Sequence, residues 1–403
     1  MSSPARMNEG SVTHRTPEHA AIPSPSAVPL TFDFLDLKSQ FATIREDVMR
    51  AVEKVMGSQL FILGAEVRQL EEEIGRTLGA GFAVSCASGS DALLLAMMAL
   101  GIGPGDEVIT TPFTFFATAG SIARLGAKPI FVDIDPETYN IDPTQIEAAV
   151  TSETKAILPV HIFGLSADLE PILRLAESKG LEVIEDAAQA IGARYNNQCV
   201  GTFGKFGCFS FFPSKNLGGA GDGGLVTTED PALAEKLRVL RVHGSKKKYY
   251  HEILGINSRL DALQAAILRV KLVHLADWTK GRQLRADRYR ALLDQAGLNG
   301  HIAPPPQPAP HMAHVYNQFV IRSRERDALR DFLRQRGIPT EIYYPICLHL
   351  QPAFAYLGCQ PGQLPNAELA SQEVLALPVY PELKDSQQES VVHAIADFYA
   401  RKN

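Results

Sequence analysis

Between about residue 80 and residue 230, the hydrophobic residues form short continuous runs separated by segments with helical character. The runs predict seven strands, at 82–86, 107–110, 128–132, 155–159, 181–185, 206–211 and 224–228. Because apolar and polar residues do not alternate within them, both faces of the sheet are expected to be covered. Helices are predicted at 90–100, 115–125, 143–150 and 169–178. These repeated strand–helix units predict an α/β fold with a mostly parallel, seven-stranded sheet and helices on both faces.

The pattern changes after residue 230. A helical stretch is predicted at 259–296, and a proline-rich segment at 303–310 then breaks the chain. Beyond it, the pattern predicts a strand at 316–321 and helices at 325–336 and 366–376. We therefore expect a large domain over residues 31–280 and a smaller C-terminal α+β domain over 281–403. Residues 1–30, rich in proline and without apolar periodicity, are predicted to be a disordered tail.

Composition excludes several classes of protein. The chain has 403 residues, of which 45% are apolar and 21% charged, as in ordinary globular proteins. A net charge of −6 argues against nucleic-acid binding. The longest apolar run, 92–102, is shorter than the roughly 18 residues of a membrane span, and no apolar signal segment opens the chain. The five cysteines are scattered without a Cys-x-x-Cys motif, so we expect free thiols, no metal site and a cytoplasmic location.

Three polar segments follow predicted strands, where open parallel sheets bind ligands. Residues 88–91 (SGSD) put a glycine and two hydroxyls at a helix start, which suits a phosphate; a plain helix cap is the alternative. Asp186 ends an apolar strand, where a carboxylate either caps the next helix or holds a buried cation. Lys215 lies between an apolar segment and a glycine-rich loop. Such surroundings lower the pKa of a lysine and make its amine nucleophilic, although most single lysines are solvated.

Together, the three segments supply what pyridoxal phosphate requires. This cofactor needs a lysine for its aldehyde, an acid for its ring nitrogen and a cup for its phosphate. The glycines at 219–224 also match G-x-G-x-x-G, but they lead into a predicted strand rather than a helix. A dinucleotide site is therefore not expected.

Five segments make the chain resemble the DegT/DnrJ/EryC1/StrS family of sugar aminotransferases, a branch of the fold-type I pyridoxal-phosphate enzymes. They are residues 87–93 (ASGSDAL), 111–118 (TPFTFFAT), 185–189 (EDAAQ), 210–218 (SFFPSKNLG) and 255–260 (GINSRL). The resemblance covers nearly the whole chain after the tail. It implies an aspartate-aminotransferase-like fold, pyridoxal 5′-phosphate and a homodimer with shared active sites. The implied reaction moves an amino group from L-glutamate to a keto-hexose of a nucleotide-activated sugar, for polysaccharide or glycoconjugate biosynthesis.

The resemblance also implies roles for individual residues around the cofactor ring. Lys215 matches the lysine that joins the cofactor aldehyde and carries protons, and Asp186 matches the partner of the ring nitrogen. Phe115 matches the aromatic residue stacked on the ring, with ordinary core as the alternative. Gln189 matches the side chain beside the ring and its 3-hydroxyl.

The cofactor phosphate is assigned its own set of residues by the same resemblance. Gly89 and Ser90 match phosphate ligands, with Ser210 as a third. Asn257 matches a residue that reaches the phosphate from the other subunit, so each active site would need both subunits.

Substrate contacts are implied at a further set of positions. Arg259 matches an arginine that contacts the nucleotide sugar, with an ordinary helix-start arginine as the alternative. Tyr343 and Tyr344 match a segment that usually reads His-Tyr-Pro in relatives acting on 3-keto sugars, uronates included. The neutral phenol of Tyr343 weakens the case for a sugar carboxylate. By the same resemblance, His161 and His349 lie on loops near the opening of the substrate site. For each, the alternative is a structural histidine whose hydrogen bonds are satisfied within the protein.

Several questions stay open at this level. The basic residues between 238 and 248 have two interpretations: they bind the diphosphate of the substrate, or they belong to a solvated surface loop. The segment 243–268 resembles that of aminotransferases acting at C3 of keto-hexoses more than that of the C4 group, which implies a 3-ketone, with either UDP or dTDP as the nucleotide. The alternative functions are a pyridoxal-phosphate sugar dehydratase and a non-catalytic regulatory protein that binds the cofactor.

Overall fold

The computed structural model describes residues 32–401, and the predicted tail at 1–30 lies outside them. The helices in this range are α1 (Leu37–Ser58), α2 (Ala65–Leu78), α3 (Gly89–Leu100), α4 (Ala117–Arg124), α5 (Pro143–Ile146), α6 (Leu169–Lys179), α7 (Pro231–Leu240), α8 (Ala262–Leu272), α9 (Leu275–Gln295), α10 (Arg326–Gln335), α11 (Pro365–Glu373) and α12 (Asp385–Ala400).

The strands of the same range form one large sheet and three small ones. They are β1 (Phe82–Cys86), β2 (Glu107–Thr110), β3 (Lys128–Phe131), β4 (Thr154–Ile157), β5 (Glu182–Asp186), β6 (Arg194–Tyr195), β7 (Gln198–Cys199), β8 (Phe206–Ser210), β9 (Gly224–Thr228), β10 (Ser245–Lys247), β11 (Tyr250–His251), β12 (Met312–Ala313), β13 (Phe319–Arg322) and β14 (Val374–Leu377).

The central sheet has seven strands in the order β1-β9-β8-β5-β4-β2-β3. Strand β9 runs antiparallel to both of its neighbours, and the other pairs are parallel. The predicted mostly parallel, seven-stranded α/β sheet is therefore confirmed. Gly224, at the start of β9, pairs with Cys86 on one side and Ser210 on the other. The carboxyl ends of β1 and β8 thus meet at the edge where β5 ends in Asp186.

Helix α3 follows β1 and packs in the interior of the fold. Its cap is Ser88, whose Oγ accepts the N–H of Asp91 at 3.1 Å. Residues 92–97 are all buried, as expected for a helix that packs against β8 and β9 on one side and α4 and α7 on others. The N-terminus of this buried helix therefore opens at the ligand-binding edge of the sheet.

The C-terminal part of the chain has its own hydrophobic cluster. Side chains from α9, α10, α12 and β13 meet there, with Tyr289, Phe319 and Ile395 fully buried. The antiparallel pair of β13 and β14 lies in this part of the chain. The cluster lies within the predicted small domain, and the boundary at residue 280 stays a prediction.

Some predicted elements are wrong in extent. The helical stretch at 259–296 is two helices, α8 and α9, because the chain turns at Val273 and His274. The predicted helix at 366–376 ends at Glu373, because Val374 is extended and pairs with Arg322 in the β13–β14 ladder. Within residues 32–401, no helix combines the length and the hydropathy needed to cross a membrane.

Candidate active site

Asp186 is held rigidly at the end of β5. Its side chain is buried, Oδ2 accepts a 2.8 Å hydrogen bond from Thr118 Oγ1, and Oδ1 accepts the N–H of Ala188 at 3.2 Å. Burial raises the pKa of Asp186, and the Thr118 bond and the charge of Lys215 act in the opposite direction. A cationic group bound at this carboxylate would offset the cost of its burial.

Lys215 follows β8 in a tight turn, in which its N–H donates to the carbonyl of Phe212 at 2.8 Å. Its side chain is partly buried, and this burial lowers the pKa of the amine to about 8, although the charge of Asp186 opposes the shift. A larger share of the amine is therefore neutral near physiological pH than for an ordinary lysine. These surroundings favour a nucleophilic role over the solvated alternative.

The start of α3 and the end of β8 approach each other closely. A Cβ placed on Gly89 would lie only 2.6 Å from Cβ of Ser210, so glycine is required for this approach. Because Ser88 caps the helix, the hydroxyl of Ser90 is not used as the cap. The structure thus brings Gly89, Ser90 and Ser210 together at a helix N-terminus, where free N–H groups favour an anion.

Gln189 is oriented by two hydrogen bonds. Its Oε1 accepts the N–H of Phe163 at 2.6 Å, and its Nε2 donates to the hydroxyl of Tyr344 at 3.0 Å. The second hydrogen on Nε2 takes part in neither of these two bonds. Burial raises the pKa of Tyr344, which therefore stays a neutral phenol. Tyr344 was predicted as a substrate residue, and its contact with Gln189 was not foreseen.

Phe115 presents a large aromatic face beside this network. Its side chain is 58% exposed, and its ring centroid lies 6.4 Å from that of Tyr344. An exposure of this size argues against ordinary core packing and suits a ring that covers a ligand.

The cluster fits pyridoxal phosphate in charge and in shape. Asp186 offers a buried carboxylate for the ring nitrogen, Lys215 offers an amine, and the Gly89–Ser210 approach forms a cradle that a Cβ would fill. Within residues 32–401, no group of histidine, cysteine, aspartate or glutamate side chains could hold a metal ion.

The model of the DegT/DnrJ/EryC1/StrS aminotransferase family matches residues 42–396. The chain belongs to this family. The cofactor of DegT/DnrJ/EryC1/StrS aminotransferases is pyridoxal phosphate, so the predicted family, the predicted cofactor and aminotransferase activity are confirmed.

Similar proteins cover almost the same length. A pleiotropic regulatory protein of Geobacillus stearothermophilus is 56% identical over 91% of this chain and 98% of its own. A UDP-N-acetyl-3-dehydro-α-D-glucosamine 3-aminotransferase of Acidithiobacillus ferrooxidans is 48% identical over 90% of this chain and 95% of its own. The crystal structure of S. venezuelae DesV is 43% identical and superposes with a TM-score of 0.88, covering 91% of this chain and 98% of that one.

His161 has a structural role in this DegT/DnrJ/EryC1/StrS aminotransferase. Its Nδ1 accepts the N–H of Ala167 at 3.0 Å, so the ring proton lies on Nε2, 3.0 Å from Oε2 of Glu185. Glu185 is fully buried and also accepts the backbone N–H groups of residues 201, 203 and 204. Both side chains are committed to the protein, which favours the satisfied-histidine alternative.

Asn257, predicted to reach the cofactor phosphate of the partner, and the predicted substrate residues lie on different segments of the chain. Asn257 is exposed and Arg259 partly exposed, on the segment that leads to α8. Tyr343 is partly buried, with its ring centroid 6.5 Å from that of Phe34. His349 is buried, with Nε2 3.2 Å from Oε1 of Glu368. These contacts favour a structural role for His349, and its contact with substrate stays a prediction.

The basic segment at 238–248 divides into two parts. Arg241 is buried and paired with Glu71, so it is not available to a ligand, and its inclusion in a basic surface patch is wrong. Lys247 and Lys248 are exposed on the β10–β11 hairpin, each over a tyrosine ring.

Proposed function

We propose that this protein transfers the amino group of L-glutamate to a ketone on a nucleotide-activated hexose. The observation that carries the proposal is the convergence of Asp186, Lys215 and the Gly89–Ser210 cradle at one edge of the sheet. The names of the A. ferrooxidans relative and of a dTDP-sugar transaminase 43% identical to this chain support a sugar substrate.

When bound, pyridoxal phosphate supplies a ring that draws electrons from the reacting carbon. Asp186 would hold a proton on the ring nitrogen, and the Thr118 hydroxyl orients its carboxylate. The amine of Lys215 would take a proton from the α-carbon of the amino acid and deliver it to the C4′ carbon of the cofactor. Phe115 would cover one face of the ring, and Gln189 would donate its second amide hydrogen to the ring hydroxyl.

On the substrate side, we assign Arg259, Tyr343 and Tyr344 to the sugar nucleotide, and we assign the buried His349 beside Glu368 a structural role. The exposed Lys247 and Lys248 suit the diphosphate, since each ammonium is held over an aromatic ring and faces solvent. A 3-ketone is favoured, on UDP or dTDP, and the product would enter a cell-surface polysaccharide or glycoconjugate.

The proposal includes a homodimer with shared active sites. Asn257 is exposed on its own chain and would reach the phosphate of the partner. It also includes a cytoplasmic location, which is supported by five cysteines that all remain free thiols.

The decisive experiment is a two-part assay on the purified protein with pyridoxal phosphate. Absorbance at about 410–430 nm, typical of a lysine-bound cofactor, should disappear when glutamate is added. A panel of UDP- and dTDP-linked keto-hexoses should then restore it and yield an amino sugar. Lys215→Ala should abolish both changes. Loss of water from the sugar without 2-oxoglutarate would indicate a dehydratase instead.

Sharing of the site is tested by mixing subunits. Lys215→Ala and Asn257→Ala homodimers should each be inactive or weak, and subunit exchange should restore one working site per dimer. If exchange restores nothing, Asn257 does not act across the interface.

A regulatory function is the second candidate, because the 56% identical relative carries the name of a regulatory protein. The retained Lys215, Asp186 and Gln189 favour catalysis, since a protein that only binds the cofactor would not need the proton carrier. An absorbance that glutamate never changes would support the regulatory candidate.

A further inference from the structure

Ser258 is a fully buried residue between two exposed or partly exposed neighbours, Asn257 and Arg259. Its Oγ accepts the backbone N–H of Ala87 at 3.1 Å, and its own N–H donates to the carbonyl of Arg241 at 3.0 Å. Ala87 lies two positions before Gly89, in the turn that leads from β1 into the phosphate cradle. Ser258 therefore connects this turn to the segment that carries Asn257.

The segment around Asn257 is fixed by the backbone on its other side as well. Asn257 forms an antiparallel bridge with Val242, and the N–H of His243 donates to the carbonyl of Ile256 at 3.0 Å. Along this segment, the side chain of Ser258 points into the protein, and the side chains of Asn257 and Arg259 point towards the surface. The inward anchor thus sets the direction in which Asn257 points.

Arg241 forms a second connection between β1 and the segment around Asn257. Its Nη1 donates to Glu71 and to the carbonyl of Ser85 at 2.7 Å. The end of β1 and the segment 241–258 are consequently one hydrogen-bonded unit. Within this unit, Ser258 makes the link that lies nearest to the phosphate cradle.

We propose that Ser258 is a positioning residue that joins the phosphate cradle of its own subunit to the Asn257 that serves the partner. One serine would then act on both active sites of the dimer. This inference rests on the proposed function, in which Asn257 crosses the interface. Removal of the hydroxyl leaves the Ala87 N–H without its acceptor in a partly buried place and frees both segments to shift.

The first test is cofactor affinity, measured without substrate. Apo-protein carrying Ser258→Ala should bind pyridoxal phosphate about tenfold more weakly than wild type, the factor expected for one buried hydrogen bond. Ser245→Ala is the matched control, because Ser245 lies in the same segment and its hydroxyl donates to the Lys247 carbonyl of the hairpin. That variant should bind as wild type does. Thermal unfolding of each apo-protein should be recorded alongside.

The second test uses mixed dimers in which Lys215→Ala silences one site. In the first arrangement, Ser258→Ala lies on the chain with the intact Lys215. The live site then has an altered cradle and an unaltered Asn257 from the other chain. In the second, it lies on the silenced chain, and only the Asn257 offered to the live site is altered. Both arrangements should weaken covalent cofactor binding at the live site.

Weakening in one arrangement alone would overturn the proposal, as would no change in either, because the serine would then act on a single site or on none. These outcomes leave amino transfer by the wild-type protein untouched, so they are distinct from a failure of the proposed function. A lower thermal midpoint with unchanged affinity would likewise overturn it, since that result describes a merely structural serine.

Discussion

The hydroxyl of Thr118, on α4, donates a 2.8 Å hydrogen bond to Oδ2 of Asp186 at the end of β5. Both side chains are buried, and Thr118 Oγ1 also lies 3.2 Å from the hydroxyl of Thr114. The bond fixes the plane of the carboxylate and lowers the pKa of Asp186 against the effect of burial. The charge that faces the cofactor ring therefore depends on Thr118, a residue of the 111–118 segment for which the resemblance implied no role.

Replacement of Thr118 with valine should weaken the cofactor site without changing its shape. The pKa of Asp186 should rise further, because the donor that favours its charged form is gone. We expect pyridoxal phosphate to bind about tenfold more weakly, as measured by absorbance titration of the apo-protein. Thr118→Ser keeps the hydroxyl and should recover most of the affinity. Equal binding by wild type and Thr118→Val would contradict this role.

The amine of Lys215 should titrate near pH 8. Only the neutral amine attacks an aldehyde, so cofactor uptake by the apo-protein should accelerate as pH rises through this value. Between pH 8 and the ordinary lysine pKa of about 10.4, the folded chain binds fewer protons here than the unfolded chain. The contribution of this lysine to stability therefore increases with pH across that window.

Stopped-flow absorbance over a pH series measures the uptake rate. Lys271 is the necessary control, because burial also lowers its pKa to about 8, while its ammonium donates to the carbonyl of Gly218. Lys271→Arg keeps a donor but removes this second amine, and it should leave the midpoint unchanged. Lys215→Arg should remove the signal. A midpoint near pH 10 would show that Lys215 is solvated.

The central sheet could be predicted because its strands are continuous apolar runs that end at polar turns. The predicted strands at 82–86 and 224–228 coincide with β1 and β9. Helix α1 has no such signal, since its apolar residues are divided between two faces. Ile44 and Val48 are buried, whereas Phe41 and Met49 are 40% and 49% exposed. No single apolar stripe marks α1 in the sequence.

The site was predictable only in part, because local sequence patterns do not encode contacts between residues that are far apart in the chain. Asp186 and Lys215 each follow an apolar strand, so their approximate location follows from sheet topology. The bond between Gln189 and Tyr344 joins residues 155 positions apart, and no local pattern encodes it. The burial of His161 and Glu185 likewise depends on how loops pack over the sheet, which periodicity does not report.

Breaking the buried pair of Arg241 and Glu71 should cost far more stability than breaking a nearby surface pair. Arg241→Ala leaves the Glu71 carboxylate in a buried place without its cation, and we expect a loss of about 3–5 kcal/mol in the free energy of unfolding. Arg238→Ala is the control, because its side chain is 38% exposed and lies 3.7 Å from Glu235. That loss should stay below about 1 kcal/mol. Denaturant titration of the apo-proteins compares the two, and equal losses would refute the assignment.

Substitutions of Arg259 and His349 should distinguish a substrate-binding residue from a structural one. Arg259 is partly exposed on the segment that leads to α8, so we expect its guanidinium to be available to a phosphate or sugar oxygen. Arg259→Ala should raise KM for the nucleotide sugar about tenfold, the scale of one charged hydrogen bond, and leave KM for glutamate unchanged. An unchanged sugar KM would make Arg259 an ordinary helix-start residue.

His349→Gln should give the opposite result. Its ring is buried against Phe131 and Nε2 lies beside Glu368, whose carboxylate also accepts the N–H groups of Gly362 and Leu364. Loss of the imidazole should therefore lower the thermal midpoint of the apo-protein, because the loop held by Glu368 loses one of its contacts. KM for the nucleotide sugar should stay within about twofold of wild type, as for residues that do not touch ligand. A sugar KM that rises as far as in Arg259→Ala, at unchanged thermal stability, would instead establish His349 as a substrate residue.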